Sequence, residues 1–173
     1  MNLPFELIVA SKTEAGVLLV SRSRRPRWAV SFGAPGTGTP EGWDQLQSKR
    51  KLRLEFDDID QPTSLWYVGP NPRQITQLLE FGERIDGGRV LVHCAAGISR
   101  SAAGAFILAT QALGPGSEHD ALQHIYDIRQ LPDGDTVWPN RLMVKIADGL
   151  LRRNGAMTEA LKTMGGSLEG KTA

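Results

Sequence analysis

The chain has 173 residues, 40% hydrophobic and 23% charged, with a formal net charge of +1. That length suffices for one domain with a sizeable core, and the near-neutral charge gives no global field to draw the chain to nucleic acid or a membrane. One cysteine, Cys94, excludes an internal disulfide; with no charged leader and no long apolar span, a reducing, cytoplasmic setting is expected.

Phe5 to Ala10 reads as a first strand. Ser11 can cap a helix running through Val17 and Leu18 to about Val20. Arg22 to Arg27 is a basic turn broken by Pro26, and Trp28 to Phe32 reads as a second strand. Residues 33–42 hold four glycines and two prolines and are read as a loop. Its Gly36-Thr37-Gly38 is not followed by the glycine-lysine-serine/threonine of a nucleotide cradle, so a plain loop is preferred.

Lys51 to Phe56 alternates polar and apolar residues, as a half-buried strand does, with Leu52, Leu54 and Phe56 inward. Asp57-Asp58-Ile59-Asp60 follows it, and residues 61–70 form a loop. Two basic clusters, Arg22/Arg24/Arg25/Arg27 and Lys49/Arg50/Lys51/Arg53, read as solvated loop edges. The alternative is steering of an anionic substrate.

Asn71-Pro72 starts a helix, with a cap and then proline at the first position. Ile75, Leu78, Leu79 and Ile85 keep helical spacing, and Gly87-Gly88 stops it. Val90 to His93 reads as a central strand buried on both faces. After the cysteine loop comes a helix without a polar face, Ala102 to Ala109, which belongs in the core. Ser117 to Asp120 resembles a capping box before a further helix bearing Leu122, Ile125, Tyr126 and Arg129. Residues 131–138 are a loop. Pro139 can begin a last long helix through Leu142, Ile146 and Leu150. Residues 1–157 are expected to form one domain and 158–173 a small, polar, frayed tail. Strands interleaved with helices predict a three-layer α/β fold with a mainly parallel central sheet.

The segment His93-Cys94-Ala95-Ala96-Gly97-Ile98-Ser99-Arg100-Ser101 joins the central strand to the core helix. Open α/β sheets place ligands at the carboxyl ends of their strands, where this loop falls. A cysteine before a helix N-terminus and near a cation is favoured as thiolate. The N–H groups of Ala95, Ala96, Gly97, Ile98, Ser99 and Arg100 can turn inward as a nest for an anion. Gly97 can take positive φ without penalty. Arg100 can clamp two phosphate oxygens in parallel. Ser101 can donate to the sulfur, and His93 can orient the loop through backbone hydrogen bonds. A buried structural cysteine is the plain alternative, but the whole pattern favours phosphoryl transfer to Cys94.

The nine-residue segment resembles the signature of the protein tyrosine phosphatase superfamily, in its small dual-specificity-like branch. From Leu52 to about Met157 the chain is similar to a compact bacterial group of that branch, including Phe56-Asp57-Asp58-Ile59 and Trp138-Pro139-Asn140-Arg141. The resemblance implies the cysteine phosphatase fold, a phosphocysteine intermediate, and no cofactor or metal. It assigns Cys94 as nucleophile, Arg100 as phosphate clamp and Ser101 as the hydroxyl assisting hydrolysis. It implies a phosphorylated protein or small aryl phosphate as substrate.

The general acid in this superfamily is usually an aspartate on a separate loop. Asp57, Asp58 and Asp60 follow a strand expected to lie beside the cysteine strand. Asp58 is the first choice, because the resemblance to the bacterial group includes an Asp-Ile pair there, ahead of Asp60, Asp57, and then Asp133 and Asp135 in the loop before the last helix. The acid must be protonated while Cys94 is ionised, so a bell-shaped pH profile with an acidic optimum is expected. His119 and His124 have no ligand partner nearby and read as surface or packing residues. Asn140 and Arg141 are expected to hold the loop. The cysteine loop lacks the basic residues that phosphoinositide phosphatases place there, which favours a single-phosphate substrate such as phosphotyrosine, with phosphoserine/threonine open. A phosphoprotein-binding module and a rhodanese-like sulfurtransferase are the rival readings.

Overall fold

The computed structural model describes residues 2–131 and 136–169, with side chains through residue 164. Four strands, β1 (Glu6–Ala10), β2 (Trp28–Gly33), β3 (Lys51–Glu55) and β4 (Arg89–His93), pair in the order β1-β4-β2-β3, every pair parallel. Among the described residues six α-helices accompany them: α1 (Lys12–Val20), α2 (Pro72–Glu83), α3 (Arg100–Leu113), α4 (Glu118–Ile128), α5 (Arg141–Leu150) and α6 (Ala156–Glu169).

Alternation along β4 divides the interior in two. Val90 and Val92 face the larger core, where α2 to α6 supply Phe81, Phe106, Leu122, Val144 and Met157. Leu91 faces the smaller core, with Ala15 and Leu19 of α1 and with Trp43 and Leu46 from the segment before β3. The three-layer α/β expectation therefore holds. No helix among the described residues is long and apolar enough to cross a membrane.

The two caps expected from sequence form. Ser11 and Glu14 make a reciprocal capping box at α1, and Asn71 and Gln74 make one at α2. α3 is buried from Arg100 through Thr110. It lies so close to the sheet that a Cβ on Gly104 would sit 2.4 Å from the Phe32 ring.

Four expectations need correction. Ser117 makes no side-chain cap on α4; its hydroxyl donates to the Gly114 carbonyl instead, at 2.6 Å. The helix expected from Pro139 begins at Arg141, because Asn140 caps it by accepting from Met143 N. It is not the last helix. The tail expected from residue 158 is helical through Glu169, because Met157 and Ala160 are fully buried against the core and Asp148 accepts from the N–H groups of Gly155 and Met157 at the start of α6. Residues 170–173 lie outside the described residues.

The fourth concerns the basic clusters. Arg22 to Arg27 directly precede β2, and Lys49 to Lys51 directly precede or open β3. In a parallel sheet Arg22 to Arg27 and Lys49 to Lys51 therefore lie at the amino edge, opposite the loop that follows β4, whereas Arg53 sits within β3. That placement fits the loop-edge reading for the residues before the strands, while the Arg53 charge reaches His93. Arg27 pairs with Asp86 at 2.5 Å, the Arg50 guanidinium lies 5.8 Å from the Trp28 ring centre, and Arg53 is spent on Ser31 and Thr37.

Candidate active site

Residues 94–99 leave the carboxyl end of β4 and turn into α3. Five of their six carbonyls are engaged, by partners on β4, α1, the C-terminus of α4 and the segment before α5. The Cys94 carbonyl meets His93 Nδ1 at 3.2 Å, and that of Ala95 accepts from Lys12 N at 3.1 Å. The Gly97 carbonyl accepts from Arg129 Nε at 3.1 Å, that of Ile98 from Trp138 N at 3.2 Å, and that of Ser99 from Asn140 N at 3.3 Å. The amides behave oppositely. Gly97 N donates to Cys94 Sγ at 3.2 Å, while the N–H groups of Ala95, Ala96, Ile98, Ser99 and Arg100 have no acceptor among the described residues. A loop with five carbonyls engaged and its N–H groups uncommitted has the polarity that can hold an anion.

Cys94 is 2% exposed, and its sulfur also lies 3.2 Å from Ser101 Oγ. Both contacts can donate to a thiolate. Gly97 has φ +78°, and a Cβ there would meet Ser11 N at 2.6 Å and Ala10 C at 2.7 Å. Glycine is required on both counts.

Arg100 is buried, its Nη1 donating to the Phe56 carbonyl at 2.7 Å. Its Nε lies 3.6 Å from Asp58 Oδ2 and has no hydrogen-bond partner among the described residues. A buried guanidinium nitrogen without a partner is costly unless something else takes the bond.

The aspartates separate by destination. Asp58 Oδ1 accepts from Ser99 Oγ at 2.6 Å and from Asn140 Nδ2 at 3.0 Å, leaving Oδ2 toward Arg100. Asp57 Oδ2 accepts from Val68 N and serves the 63–68 turn, which a Thr63–Val68 bridge closes. Asp60 Oδ1 accepts from Arg141 N at the start of α5. Asp133 and Asp135 lie outside the described residues. One expectation behind the choice fails: β3 is not beside β4, because β2 lies between them. The aspartate loop reaches the site by crossing the end of β2, with Phe56 and Asp58 meeting Arg100 there.

Asp58 and Asp60 share a cleft of about 370 Å³ with Ser99, Tyr126, Trp138 and Arg141. The cleft opens beside the cysteine loop, and Cys94 is not among its wall residues. Burial pushes the Tyr126 phenol above its ordinary pKa.

His93 is 1% exposed and packs edge-on against Trp43. Burial first, then the charges of Arg53 and Lys12, lower its pKa to about 4, against the opposing pull of the Cys94 carbonyl. The ring is neutral at ordinary pH. Because a carbonyl only accepts, Nδ1 carries the proton; Nε2 has no partner among the described residues. His119 meets Thr163 Oγ1 at 3.0 Å, a packing contact between α4 and α6.

Sequence reasoning missed the outer supports. Glu14 binds Arg129 through both oxygens, at 3.0 and 2.9 Å, and accepts from Ser11 N at 2.7 Å. Burial works to raise the Glu14 pKa, but hydrogen bonds from Arg129 and Ser11 and the Arg129 charge outweigh it and hold the carboxyl at about 2. Ser11 reads as a helix cap, Glu14 is not singled out, and nothing local links either to Arg129, 115 residues from Glu14.

No protein-family model matches the sequence, and no curated protein matches it. Solved structures do match. PTPMT1 in complex with PI(5)P is 16% identical with a TM-score of 0.56, covering 88% of this chain and 94% of its own. The Cydia pomonella PTP-2 phosphatase is 17% identical with a TM-score of 0.57, covering 83% of this chain and 84% of its own. A mouse putative dual specificity phosphatase complexed with zinc tungstate is 17% identical with a TM-score of 0.50, covering 91% of this chain and 92% of its own. Likeness at this level of identity speaks for architecture, and the chain has the fold of the cysteine-dependent protein tyrosine phosphatase superfamily.

Proposed function

We propose that this chain is a phosphomonoester hydrolase working through a phosphocysteine intermediate, with phosphotyrosine as the favoured substrate. The observation that carries the reading is the polarity of the 94–100 loop: five carbonyls engaged, five amides uncommitted, and Arg100 beside them. Such a surface suits a dianion's three equatorial oxygens.

In the first step the Cys94 thiolate attacks phosphorus while the ester oxygen departs. That oxygen takes a proton from Asp58 Oδ2, the carboxyl oxygen that neither Ser99 nor Asn140 occupies. In the second step Asp58, now a carboxylate, takes a proton from the attacking water. The sulfur leaves as thiolate, met by Gly97 N–H and Ser101 Oγ. Arg100 would exchange its contact with Asp58 for two phosphate oxygens.

No lysine or second arginine lies between Cys94 and Arg100, which supports a substrate recognised through one phosphate. The PTPMT1 structure was solved with PI(5)P, so a lipid monophosphate belongs in the same assay. The test is hydrolysis of an aryl phosphate, a phosphotyrosyl peptide and phosphatidylinositol monophosphate vesicles by wild type and Cys94→Ser. Loss of turnover by orders of magnitude in Cys94→Ser, with vanadate inhibiting the wild type, is expected. Equal rates would end the reading, and faster turnover of the vesicles would replace the phosphotyrosine assignment.

A further inference from the structure

We infer that Arg129, braced by Glu14, is a positioning residue that aims the Ile98 amide at the bound phosphate; this rests on the phosphatase reading of the same site. The argument begins with peptide geometry. The Gly97 carbonyl and the Ile98 N–H belong to one planar trans unit and point in opposite directions. Arg129 Nε holds that carbonyl at 3.1 Å on the outer side of the loop. Fixing the oxygen outward therefore fixes the N–H inward.

Gly97 is where such a clamp has the most to do. At φ +78° a glycine has wide freedom, and this peptide could rotate unless held. The carbonyls of Cys94, Ala95, Ile98 and Ser99 are held by backbone amides or by the neighbouring His93 ring. At Gly97 the holder is a cation. A charged donor on a carbonyl also polarises the peptide and strengthens its N–H as a donor.

Arg129 cannot drift, because Glu14 takes its other two nitrogens. Glu14 is itself fixed by Ser11 N at the start of α1, and the next residue, Lys12, donates to the Ala95 carbonyl. One ion pair thus joins the C-terminus of α4, the N-terminus of α1 and both flanks of the cysteine loop. The low pKa of Glu14 keeps the pair charged across the working range.

The experiment compares wild type with Arg129→Met, Arg129→Lys and Glu14→Gln in the full chain, with Arg27→Met as a control at the opposite sheet edge. Vanadate affinity and aryl phosphate kinetics are read together, with the thermal midpoint of each variant. Arg129→Met is expected to weaken vanadate binding and lower kcat/KM by the same factor, about tenfold, short of the roughly 10²–10³-fold that loss of a whole oxyanion donor costs, because the Ile98 amide remains and is only less well aimed. Arg129→Lys should recover part of the loss, because an ammonium can reach the carbonyl but cannot also span both Glu14 oxygens. If Arg129→Met fails to fold, Glu14→Gln should show a smaller loss in the same direction, and the wild-type Ile98 amide should be among the resonances most shifted by vanadate. Vanadate affinity and turnover like those of Arg27→Met would overturn the inference while leaving the phosphatase reading intact. A wild type that neither binds vanadate nor shows Cys94-dependent turnover would overturn both.

Discussion

Ser99 Oγ donates a 2.6 Å hydrogen bond to Asp58 Oδ1, joining the cysteine loop to the aspartate loop across 41 residues of sequence. Asn140 Nδ2 reaches the same oxygen and also the Ile59 carbonyl. The carboxylate is thus held from two sides, with one oxygen directed at Arg100. Asp57 and Asp60, its neighbours in sequence, serve a turn and a helix start instead.

That division makes the acid testable. Asp58→Asn is expected to lower kcat by roughly 10²-fold for a poor leaving group and far less for a good one. Asp60→Asn should leave this leaving-group dependence unchanged. A rate series across substituted aryl phosphates distinguishes them, and the reverse pattern would move the role to Asp60.

Asn140 is buried and serves two structures at once. Asn140→Ala removes the α5 cap and both contacts to the aspartate loop. A stability loss of about 2 kcal/mol is expected in urea unfolding. A fall in kcat for poor leaving groups should accompany it, because Asp58 loses one of its two holders.

Ser101 Oγ has Cys94 Sγ as its partner, and the sulfur is the leaving group of the second step. Ser101→Ala should slow phosphocysteine breakdown roughly tenfold, the effect of one hydrogen bond to a charged atom. Rapid-mixing kinetics should then reveal a burst equal to the enzyme concentration. A uniform slowing without a burst would place Ser101 in the first step.

Two glycines near the site should respond differently to alanine. At Gly104 the new Cβ meets the end of the Phe32 ring, a side chain that can shift within the core, so about 1–3 kcal/mol is expected. At Gly97 it meets backbone atoms of Ala10 and Ser11 with a positive φ besides. Gly97→Ala should be the more damaging to stability and should abolish vanadate binding, as urea titration and inhibition would reveal.

His93 gives a pH dependence with a definite sign. Its pKa in the folded chain is about 4 against an ordinary 6.5. Between these values the unfolded chain binds the extra proton and the folded chain does not. Stability therefore falls as pH drops from about 6.5 to 4, by on the order of 3 kcal/mol in total, and His93 adds nothing further below that. Urea midpoints measured through this window should decline less in His93→Gln. An unchanged slope would mean that another group carries it.

The sequence by itself determined the features that depend on neighbours along the chain. Short apolar or alternating runs marked the four strands, the cap residues Ser11 and Asn71 marked the starts of α1 and α2, and His93 to Ser101 marked the cysteine loop, because each is a pattern within a few residues. Tertiary structure decided what depends on strand order. It placed β2 between β3 and β4, so Asp58 reaches Arg100 over the end of β2 rather than from an adjacent strand. It put Arg22 to Arg27 and Lys49 to Lys51 at the far edge, made Ala156–Glu169 a helix packed through Met157 and Ala160, and brought Glu14 and Arg129 behind Gly97. These arrangements arise from burial and long-range pairing, in which the partner lies tens of residues away and no local period records it.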